Sequence, residues 1–487
     1  MIDKFINKFK TIPIQVKASI WFFLCSFLQK GISFITTPIF TRALSTTEYG
    51  QYNVFTSWMS ILTVFVSLNL YYGVYVRGLV KYDDDRKKFT SSLQGLMLTS
   101  VFIWTIIYLL FRQHINEVLG LNTTQMLAML LMIWTTGVFN FWSTEKRVEL
   151  KYKSLVIITL LVSLAKPLVS LFLIRISENH VTARILGLAL VELIFYSGLY
   201  VKQMKSGKCF FSKYYWKYAL CFNIPLIPHY LSTAILNSAD RIMIEKMVGL
   251  SEAGIYSLAY SVSMIMTMIN TALMQTIEPW MYKKIKDDKI EDISTVAYPC
   301  FVIIALLNVL LIAFAPEVIM IFAPSEYLEA IYVIPSITMS VFFMFSYTFF
   351  AVFEFYFKKT KQIAFATSFG AILNIILNYV FIKKFGYLAA GYTTLICFCV
   401  YAFLHYYFMK KICVEKLNSR KPYNIKIYLS ISIVFIIVGF LIQMTYCNNV
   451  IRYLLLLSLL VICLFKRKRL LFMISSLLNV RKNTEKI

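Results

Sequence analysis

The sequence predicts an all-α integral membrane protein with about 14 transmembrane helices. Hydrophobic residues make up 59% of the 487 positions and charged residues only 15%, whereas about a quarter of the residues of a soluble domain are charged. Apolar stretches of about 20 residues, enough to cross a hydrocarbon core of about 30 Å, recur through the whole chain with short polar breaks between them. Together these observations exclude a soluble domain of ordinary composition.

The apolar stretches form two groups of six predicted spans, followed by two more. Pro225 and Pro228 interrupt the seventh span, which makes it a candidate moving element because each proline permits a kink. In chain order the predicted spans cover residues 17–43, 50–76, 89–111, 121–142, 154–174, 182–201, 215–248, 253–282, 296–322, 330–357, 362–382, 388–409, 425–444 and 450–465.

The net charge of +25 indicates topology rather than nucleic-acid binding, because the charge is arranged by loop. Most of the 49 Lys and Arg residues lie in the N-terminus, in every second loop after it and in the C-terminal tail. The positive-inside rule places these segments, and both termini, in the cytoplasm. Basic loops also attract anionic lipid, so we expect the bilayer surface as a partner and no nucleic acid.

The sequence carries no pattern of catalysis or metal binding. Its four His and nine Cys are scattered without the spacing of a metal site, and it has no phosphate-binding loop. We therefore expect no catalytic residue, no metal and no bound cofactor. Coupling to a proton gradient, to a sodium gradient or to substrate supply stays open.

An internal repeat predicts two lobes. Several residues of the first half recur in the second half after a constant interval. This interval contains six predicted spans, an even number, so both halves have the same orientation and are related by a pseudo-two-fold axis along the membrane normal. We expect an N-terminal lobe over residues 1–210, a C-terminal lobe over 211–415, and a last segment, 416–487, with spans thirteen and fourteen and a basic cytoplasmic tail. Ser45 and Glu48 also have the spacing of a helix-capping box. The residues that recur at this interval are Glu48 and Glu252, Gly50 and Gly254, Tyr52 and Tyr256, and Gly187 and Gly391.

Polar residues in the first and seventh spans follow one helical face each, because they are spaced three or four residues apart. Small polar residues can serve helix packing alone, but a basic residue needs a further explanation. Asp240 lies beside the polar face of the seventh span, where it is placed to orient Arg241 or a neighbour. These polar stripes consist of Ser26, Lys30, Ser33, Thr37 and Thr41 in the first span and His229, Thr233, Asn237 and Arg241 in the seventh.

Two lysines lie near the middle of spans. A basic side chain at bilayer depth costs at least about 2.5 to 3.5 kcal/mol, so it usually faces a partner or a watery cavity. Lys30 and Lys166 have no acid within helical reach on their own spans. Either they pair across the bundle with Glu192 or Glu354, or they line a cationic cavity for an anionic ligand.

Several segments carry a family resemblance: TPIFTRALSTTEYGQY in the first two spans, IPLIPHY and ADRIMIEKMVGLSEAGIYSLAYS in the seventh and eighth, EPWMYKK at the end of the eighth, and NIILNYVFIKKFGYLAAGYTTL in the eleventh and twelfth. They resemble the polysaccharide flippases of the O-antigen (Wzx) type. These flippases are a branch of the multidrug, oligosaccharidyl-lipid and polysaccharide exporter superfamily.

The resemblance implies a multi-pass protein of the bacterial inner membrane. Such a protein carries undecaprenyl-diphosphate-linked oligosaccharide units from the cytoplasmic to the outer leaflet by alternating access, with a polysaccharide polymerase and a chain-length regulator as partners. It also implies a cationic central cavity, a role assigned here to Lys30, Arg42, Lys166 and Arg241. The polar residues expected in the cavity or in coupling are Ser33, Thr37, Asn237, Asp240, Glu192 and Glu354.

Two other functions compete with this interpretation. A drug or cation exporter of the same superfamily would share the fold, but its cavity would be expected to carry acids rather than Lys30 and Lys166. A membrane glycosyltransferase or a repeat-unit polymerase would need a sizeable outer loop for its catalytic groups, and the predicted outer segments are short.

The distribution of basic residues makes a topological prediction. Single cysteines in a Cys-free background are expected to react with a membrane-impermeant maleimide only from the cytoplasmic side near Lys87, Lys151, Lys284 and Lys410. Near Thr47, His180 and Ser325 they are expected to react from outside. Labelling from outside at Lys151 or Lys284 would contradict the predicted orientation.

Overall fold

The computed structural model of the protein describes residues 14–467, and no β-strand occurs within this range. Twelve of the described helices are long and apolar enough to cross a membrane. Two further helices, Thr46–Val66 and Asn449–Phe465, occupy the remaining predicted spans. The predicted all-α membrane fold is therefore confirmed. The extreme termini, predicted to be cytoplasmic, lie outside the described residues.

The chain divides into two compact units, with the boundary between Ser238 and Ala239. A 3₁₀ turn, Ile224–Leu226, leads into α10 (Ile227–Met247), which contains this boundary. The preceding helices, all in the first unit, are α1 (Ile14–Ala43), α2 (Thr46–Val66), α3 (Gly73–Lys81), α4 (Arg86–Leu110), α5 (Arg112–Leu119), α6 (Thr123–Val148), α7 (Tyr152–Ile176), α8 (His180–Gly207) and α9 (Lys213–Asn223).

The second unit contains the last predicted spans as well as the second half of the repeat. Short 3₁₀ segments at Ile290–Asp292 and Ser325–Tyr332 connect some of its helices. These helices are α11 (Leu250–Ser263), α12 (Met266–Lys286), α13 (Ile293–Ala313), α14 (Ala315–Phe322), α15 (Ile334–Tyr356), α16 (Thr360–Phe385), α17 (Leu388–Lys416), α18 (Ile425–Met444) and α19 (Asn449–Phe465).

Helix α9 packs within the first unit. Its residues Tyr215 and Ala219 are buried in one cluster with Tyr75 of α3 and Phe89 of α4. The aromatic rings explain this position, since Tyr215 and Phe89 lie edge to face with their centroids 5.4 Å apart. The lobe boundary predicted after residue 210 stays a prediction.

Helix α15 lies at the centre of the second unit. Its phenylalanines at positions 342, 345, 349 and 350 are at most 1% exposed. A helix that is apolar on all sides is stable only when other helices enclose it. The ring of Phe301 on α13 packs edge to face against Phe349, with the centroids 5.0 Å apart.

The repeat is visible in how helices pack inside each unit. In the first unit the fourth and fifth spans, α6 and α7, pack on the sixth, α8; in the second unit α15 and α16 pack on α17 in the same way. Gly187 and Gly391 each permit a close helix contact. A Cβ atom at Gly187 would lie 2.7 Å from the Cα of Ser170, and one at Gly391 would collide with the side chain of Ser336. The two serines lie in different spans of the repeat, so the small residue recurs but its neighbour changes.

The predicted capping box at the start of α2 is confirmed. The hydroxyl of Ser45 accepts a hydrogen bond from the backbone N–H of Glu48, and the Glu48 carboxylate accepts one from the N–H of Ser45. Glu48 also lies 2.9 Å from Nδ1 of His180, which joins α2 to the start of α8. The repeat partner Glu252 has no equivalent box, because the residue before α11 is Gly249.

The second predicted span is broken, which corrects the prediction of one continuous helix over residues 50–76. Helix α2 ends at Val66 and α3 begins at Gly73, and between them Leu68 and Asn69 have positive φ angles of 50° and 47°. Each such angle costs a non-glycine residue about 1–2 kcal/mol. The buried amide of Asn223 on α9 offsets this cost by donating to the carbonyl oxygens of Leu68 and Asn69, at 2.9 and 3.0 Å. The break was hidden in the sequence because its stabilising partner lies far along the chain.

Candidate functional site

The structure joins two of the predicted site residues, Lys166 of α7 and Glu192 of α8. The ammonium Nζ of Lys166 lies 2.6 Å from Oε1 of Glu192, and their side chains are 29% and 3% exposed. The second carboxylate oxygen accepts hydrogen bonds from the hydroxyls of Thr135, at 2.7 Å, and Thr136, at 3.1 Å. Of the two interpretations open for Lys166, the structure shows pairing with Glu192. A role of Lys166 toward substrate stays a prediction.

The other predicted residues of the first stripe lie on α1. Lys30 and Ser33 are exposed and Thr37 is half-buried. The hydroxyl of Thr37 donates to the backbone carbonyl of Ser33 at 3.0 Å, which uses its hydrogen atom within the helix. Among residues 14–467, Lys30 has no acidic side chain within ion-pair distance. Lys30 is therefore a solvent- or lipid-facing cation in the middle of a candidate span.

Arg42 lies at the end of the same helix and is also exposed. Its guanidinium donates to the carbonyl oxygen of Pro38 at 2.9 Å. A cation in the last turn of a helix compensates the partial negative charge of the terminal carbonyl groups. The structure therefore gives Arg42 a local helix-end contact in addition to its predicted role at the cavity rim.

Asp240 is the centre of a polar cluster in the second unit. It is 3% exposed. Each of its carboxylate oxygens accepts two hydrogen bonds, at distances between 2.5 and 3.1 Å. A carboxylate that accepts several hydrogen bonds can be buried at tolerable cost. The donors are Asn374 and Asn378 to Oδ1 and Tyr256 and Thr394 to Oδ2.

This cluster joins α10 to three other helices of the unit. Tyr256 is on α11, the two asparagines are on α16, and Thr394 is on α17. Thr393 of α17 also donates to the amide oxygen of Asn378. The sequence predicted that Asp240 would orient Arg241 or a neighbour, and these four neighbours are the contacts that the structure defines. They escaped sequence reasoning because Asn and Thr are common as helix-packing residues.

Arg241 and Asn237 are the remaining predicted residues on α10. Arg241 is half-buried, with its guanidinium carbon 4.3 Å from the centroid of the Tyr260 ring. Such cation–π contacts are worth about 0.5–2 kcal/mol, depending on desolvation. Asn237 is exposed and donates to the carbonyl oxygen of Thr233 at 2.8 Å.

Glu354 pairs with a histidine that sequence reasoning missed. Its Oε1 lies 2.6 Å from Nδ1 of His405, and the two side chains are 0% and 1% exposed. The outer atoms of this pair, Oε2 of Glu354 and Nε2 of His405, have no hydrogen-bond partner in the part of the chain that the structure describes. Glu354 was expected to be available to Lys30 or Lys166, and the structure gives it His405 instead.

A buried arginine was also missed. Arg184 of α8 is 8% exposed, and its guanidinium carbon lies 3.5 Å from the ring centroid of Tyr52 and 3.8 Å from that of Phe40. Arg184 was assigned no role in the sequence analysis. Tyr52 is the repeat partner of Tyr256, so the same repeat position serves a cation in one unit and a carboxylate in the other.

The predicted absence of a metal site stays a prediction. Within the range 14–467, no group of three or more His, Cys, Asp and Glu side chains is arranged to hold a metal ion. The buried acids described above contact hydroxyl, amide, ammonium and imidazole groups, and only Oε2 of Glu354 among their oxygens lacks a partner in the described part of the chain.

The ion pair of Lys166 predicts a stability effect. Lys166→Met leaves the buried carboxylate of Glu192 without its cation, and breaking a buried pair in this way costs about 3–5 kcal/mol. We expect Lys166→Met to lower the melting temperature of the detergent-purified protein, and the double variant Lys166→Met/Glu192→Gln to recover most of the loss.

The matched control is the exposed pair of Lys359 and Glu415, whose atoms are 2.9 Å apart. Lys359→Met is expected to leave the melting temperature nearly unchanged, because water screens the attraction within an exposed pair. An unchanged melting temperature in the single variant Lys166→Met would contradict a structural role for the pair.

The fold is shared with solved transporter structures. One described as "Lipid II flippase MurJ, inward closed conformation" aligns with a TM-score of 0.66 and 16% identity, covering 93% of this chain and 99% of that one. An inward-facing multidrug resistance MATE family transporter of the MOP superfamily aligns with a TM-score of 0.60 and 14% identity, covering 80% and 96%. A MATE in complex with MaL6 aligns at 0.59 with 12% identity, covering 84% and 97%. At these identities the likeness shows the fold.

The family of this chain is identified from its amino-acid sequence. No curated protein matches it. Residues 16–285, more than half of the chain, match the family described as "Polysaccharide biosynthesis protein". The resemblance to polysaccharide exporters is thereby confirmed, and this chain belongs to the polysaccharide biosynthesis protein family.

Proposed function

We propose that this protein is a flippase for undecaprenyl-diphosphate-linked oligosaccharide units. It would move them from the cytoplasmic to the outer leaflet of a bacterial inner membrane by alternating access, with both of its own termini in the cytoplasm. The units would serve the assembly of O-antigen, capsule or exopolysaccharide. The family match supports a role in polysaccharide biosynthesis, and the fold likeness to a lipid II flippase supports a lipid-linked substrate.

The observation that carries this proposal is Lys30. It is exposed near the middle of the candidate span Lys17–Ala43, and it has no acidic partner among the described residues. A cation at this depth is costly unless water or an anion accompanies it. A diphosphate supplies at least two negative charges, so it would stabilise Lys30 in a way that a cationic drug would not. Arg42, on the same helix, would provide further positive charge for this ligand.

The drug-exporter alternative shares the fold, as the MATE structures demonstrate. The three acids predicted for the cavity or for coupling are engaged with other groups. The ammonium of Lys166 pairs with Glu192, His405 lies against Glu354, and Asp240 accepts four hydrogen bonds. We therefore favour an anionic substrate and a transporter without enzymatic activity, working beside a polysaccharide polymerase and a chain-length regulator.

Ion coupling is proposed at the Asp240 cluster. A carboxylate surrounded by amide and hydroxyl groups offers the oxygen ligands that hard cations prefer. The amides of Asn374 and Asn378 donate to Asp240 in this structure, and an amide that turns over presents its oxygen instead. The same carboxylate could alternatively take up a proton. The cluster thus suits coupling to a sodium or a proton gradient.

Deletion of the protein tests its function. Lipid-linked oligosaccharide units are expected to accumulate in the cytoplasmic leaflet, and the corresponding surface polysaccharide is expected to disappear, with no primary change in drug tolerance. Leaflet position can be measured by enzymatic modification of the units in sealed vesicles. Normal surface polysaccharide in a deletion strain that has no second flippase would contradict the proposal.

Complementation of the deletion strain tests the role of Lys30 in transport. Lys30→Ala is expected to insert normally but to restore little polysaccharide, because the charge for the diphosphate is lost. Lys153→Ala, at an exposed lysine near the start of α7, is the matched control and is expected to restore it fully. Full restoration by Lys30→Ala would remove the main support for an anionic substrate.

Coupling is tested with Asp240→Asn, which keeps the size of the side chain and removes its charge. An imposed sodium or proton gradient is expected to accelerate delivery of labelled units to the outer leaflet by the wild type, and to have no effect on Asp240→Asn. Glu326→Gln, at an exposed carboxylate in the segment Ser325–Tyr332, serves as the comparison and is expected to keep the acceleration. If neither gradient accelerates the wild type, the coupling proposal is wrong although the flippase proposal stands.

A further inference from the structure

The first unit contains a cavity of about 580 Å³ at the place where two of its spans are interrupted. One wall is the break between α2 and α3, and the other is the start of α10, directly after the 3₁₀ turn at Ile224–Leu226. Irregular backbone is tolerated within a membrane protein chiefly where it lines a cavity or is buried in protein. Interrupted helices also commonly form the substrate sites of transporters.

The chemistry of the lining is unusual for a site in a basic protein. None of the twelve lining residues is Lys, Arg, Asp or Glu. The polar groups are hydroxyls and amides, including those of Thr63, Asn69 and Asn237. His229 adds a ring whose buried Nδ1 has no hydrogen-bond partner among the described residues. The lining thus offers neutral donors and acceptors.

Two aromatic rings complete the wall. Tyr72, at the end of the break, and Tyr230, on α10, stack with their centroids 6.2 Å apart and an interplanar angle of 30°. Tyr72 is 56% exposed, so much of its surface is free to meet a ligand. The break itself does not require a ligand, because Asn223 already satisfies the carbonyl groups of Leu68 and Asn69.

We propose that this cavity is a saccharide subsite that binds a neutral pyranose of the transported oligosaccharide. A pyranose presents an edge of hydroxyl groups and a face of C–H bonds. The hydroxyl edge suits neutral amide, hydroxyl and imidazole partners, and the C–H face suits the electron-rich face of a tyrosine ring. The diphosphate is excluded from this subsite, since no cation lines it. The assignment rests on the proposed flippase function and adds where the sugar is held.

The first test uses the deletion strain complemented with variants of the two tyrosines. Tyr72→Ala and Tyr230→Ala are expected to lower the rate of delivery of lipid-linked units about tenfold, the equivalent of about 1.4 kcal/mol. Tyr72→Phe and Tyr230→Phe keep the ring face and are expected to keep most of the rate. Tyr407→Ala, at a tyrosine on α17 that is 54% exposed, is the control for removing a surface ring. Full delivery by both alanine variants would overturn the subsite.

The second test reports occupancy and does not depend on the tyrosine variants folding. Thr63→Cys, in a Cys-free background that still complements, is labelled with maleimide in membranes. Labelling is expected to be slower in membranes that contain complete lipid-linked units than in membranes from a strain lacking the first glycosyltransferase of the pathway. Asp84→Cys, in the exposed loop before α4, is expected to be labelled equally in both.

The outcomes separate the two proposals. Equal labelling of Thr63→Cys in both membranes would mean that the cavity holds only water, and would overturn the subsite. Slower labelling on addition of undecaprenyl diphosphate alone, without sugar, would assign the cavity to the diphosphate and would equally overturn it. Failure of the unaltered protein to restore polysaccharide would instead count against the flippase function.

Discussion

Polar groups that this chain carries into the hydrocarbon region have to find partners inside the protein, because lipid offers no hydrogen bonds. The buried carboxylates show how this constraint determines the packing. Glu192 ties α8 to Lys166 of α7 and to two threonines of α6, and Asp240 ties α10 to α11, α16 and α17. Each acid is thus a junction of several helices, and the register of those helices is set by the need to satisfy it.

The same need for hydrogen-bond partners explains how the interrupted spans are stabilised. The turn after α2 places two consecutive non-glycine residues in the left-handed region, and the amide of Asn223 satisfies both of their carbonyl groups. The second interruption, at Ile224–Leu226, follows directly after this asparagine. One residue therefore connects the two irregular segments, and the space between them becomes a cavity with a neutral, aromatic lining.

A charged side chain without a partner in the protein indicates where a charged substrate can bind. Lys166, Glu192 and Glu354 each have an ionisable partner, with the paired atoms 2.6 Å apart. Lys30 does not, within the residues that the structure describes, and it lies on a polar face of α1. The combination of an available cation on one helix and a neutral cavity elsewhere in the unit fits a substrate with a charged diphosphate and an uncharged sugar. A small cationic drug would be repelled by Lys30.

Much of the architecture followed from the sequence alone. The all-helical membrane class, the capping box at Ser45 and the family resemblance depend on local composition and short motifs, which can be recognised along the chain without knowledge of its folding. The pairing of Lys166 remained open between two acids, because its partner lies on another helix and the choice depends on helix rotation. The donors around Asp240, the imidazole beside Glu354 and the aromatic rings around Arg184 had no sequence signal for the same reason. The break in the second span was decided by Asn223, a residue far away in the chain, whose hydrogen bonds offset the strain of two left-handed residues only once α9 is packed in place.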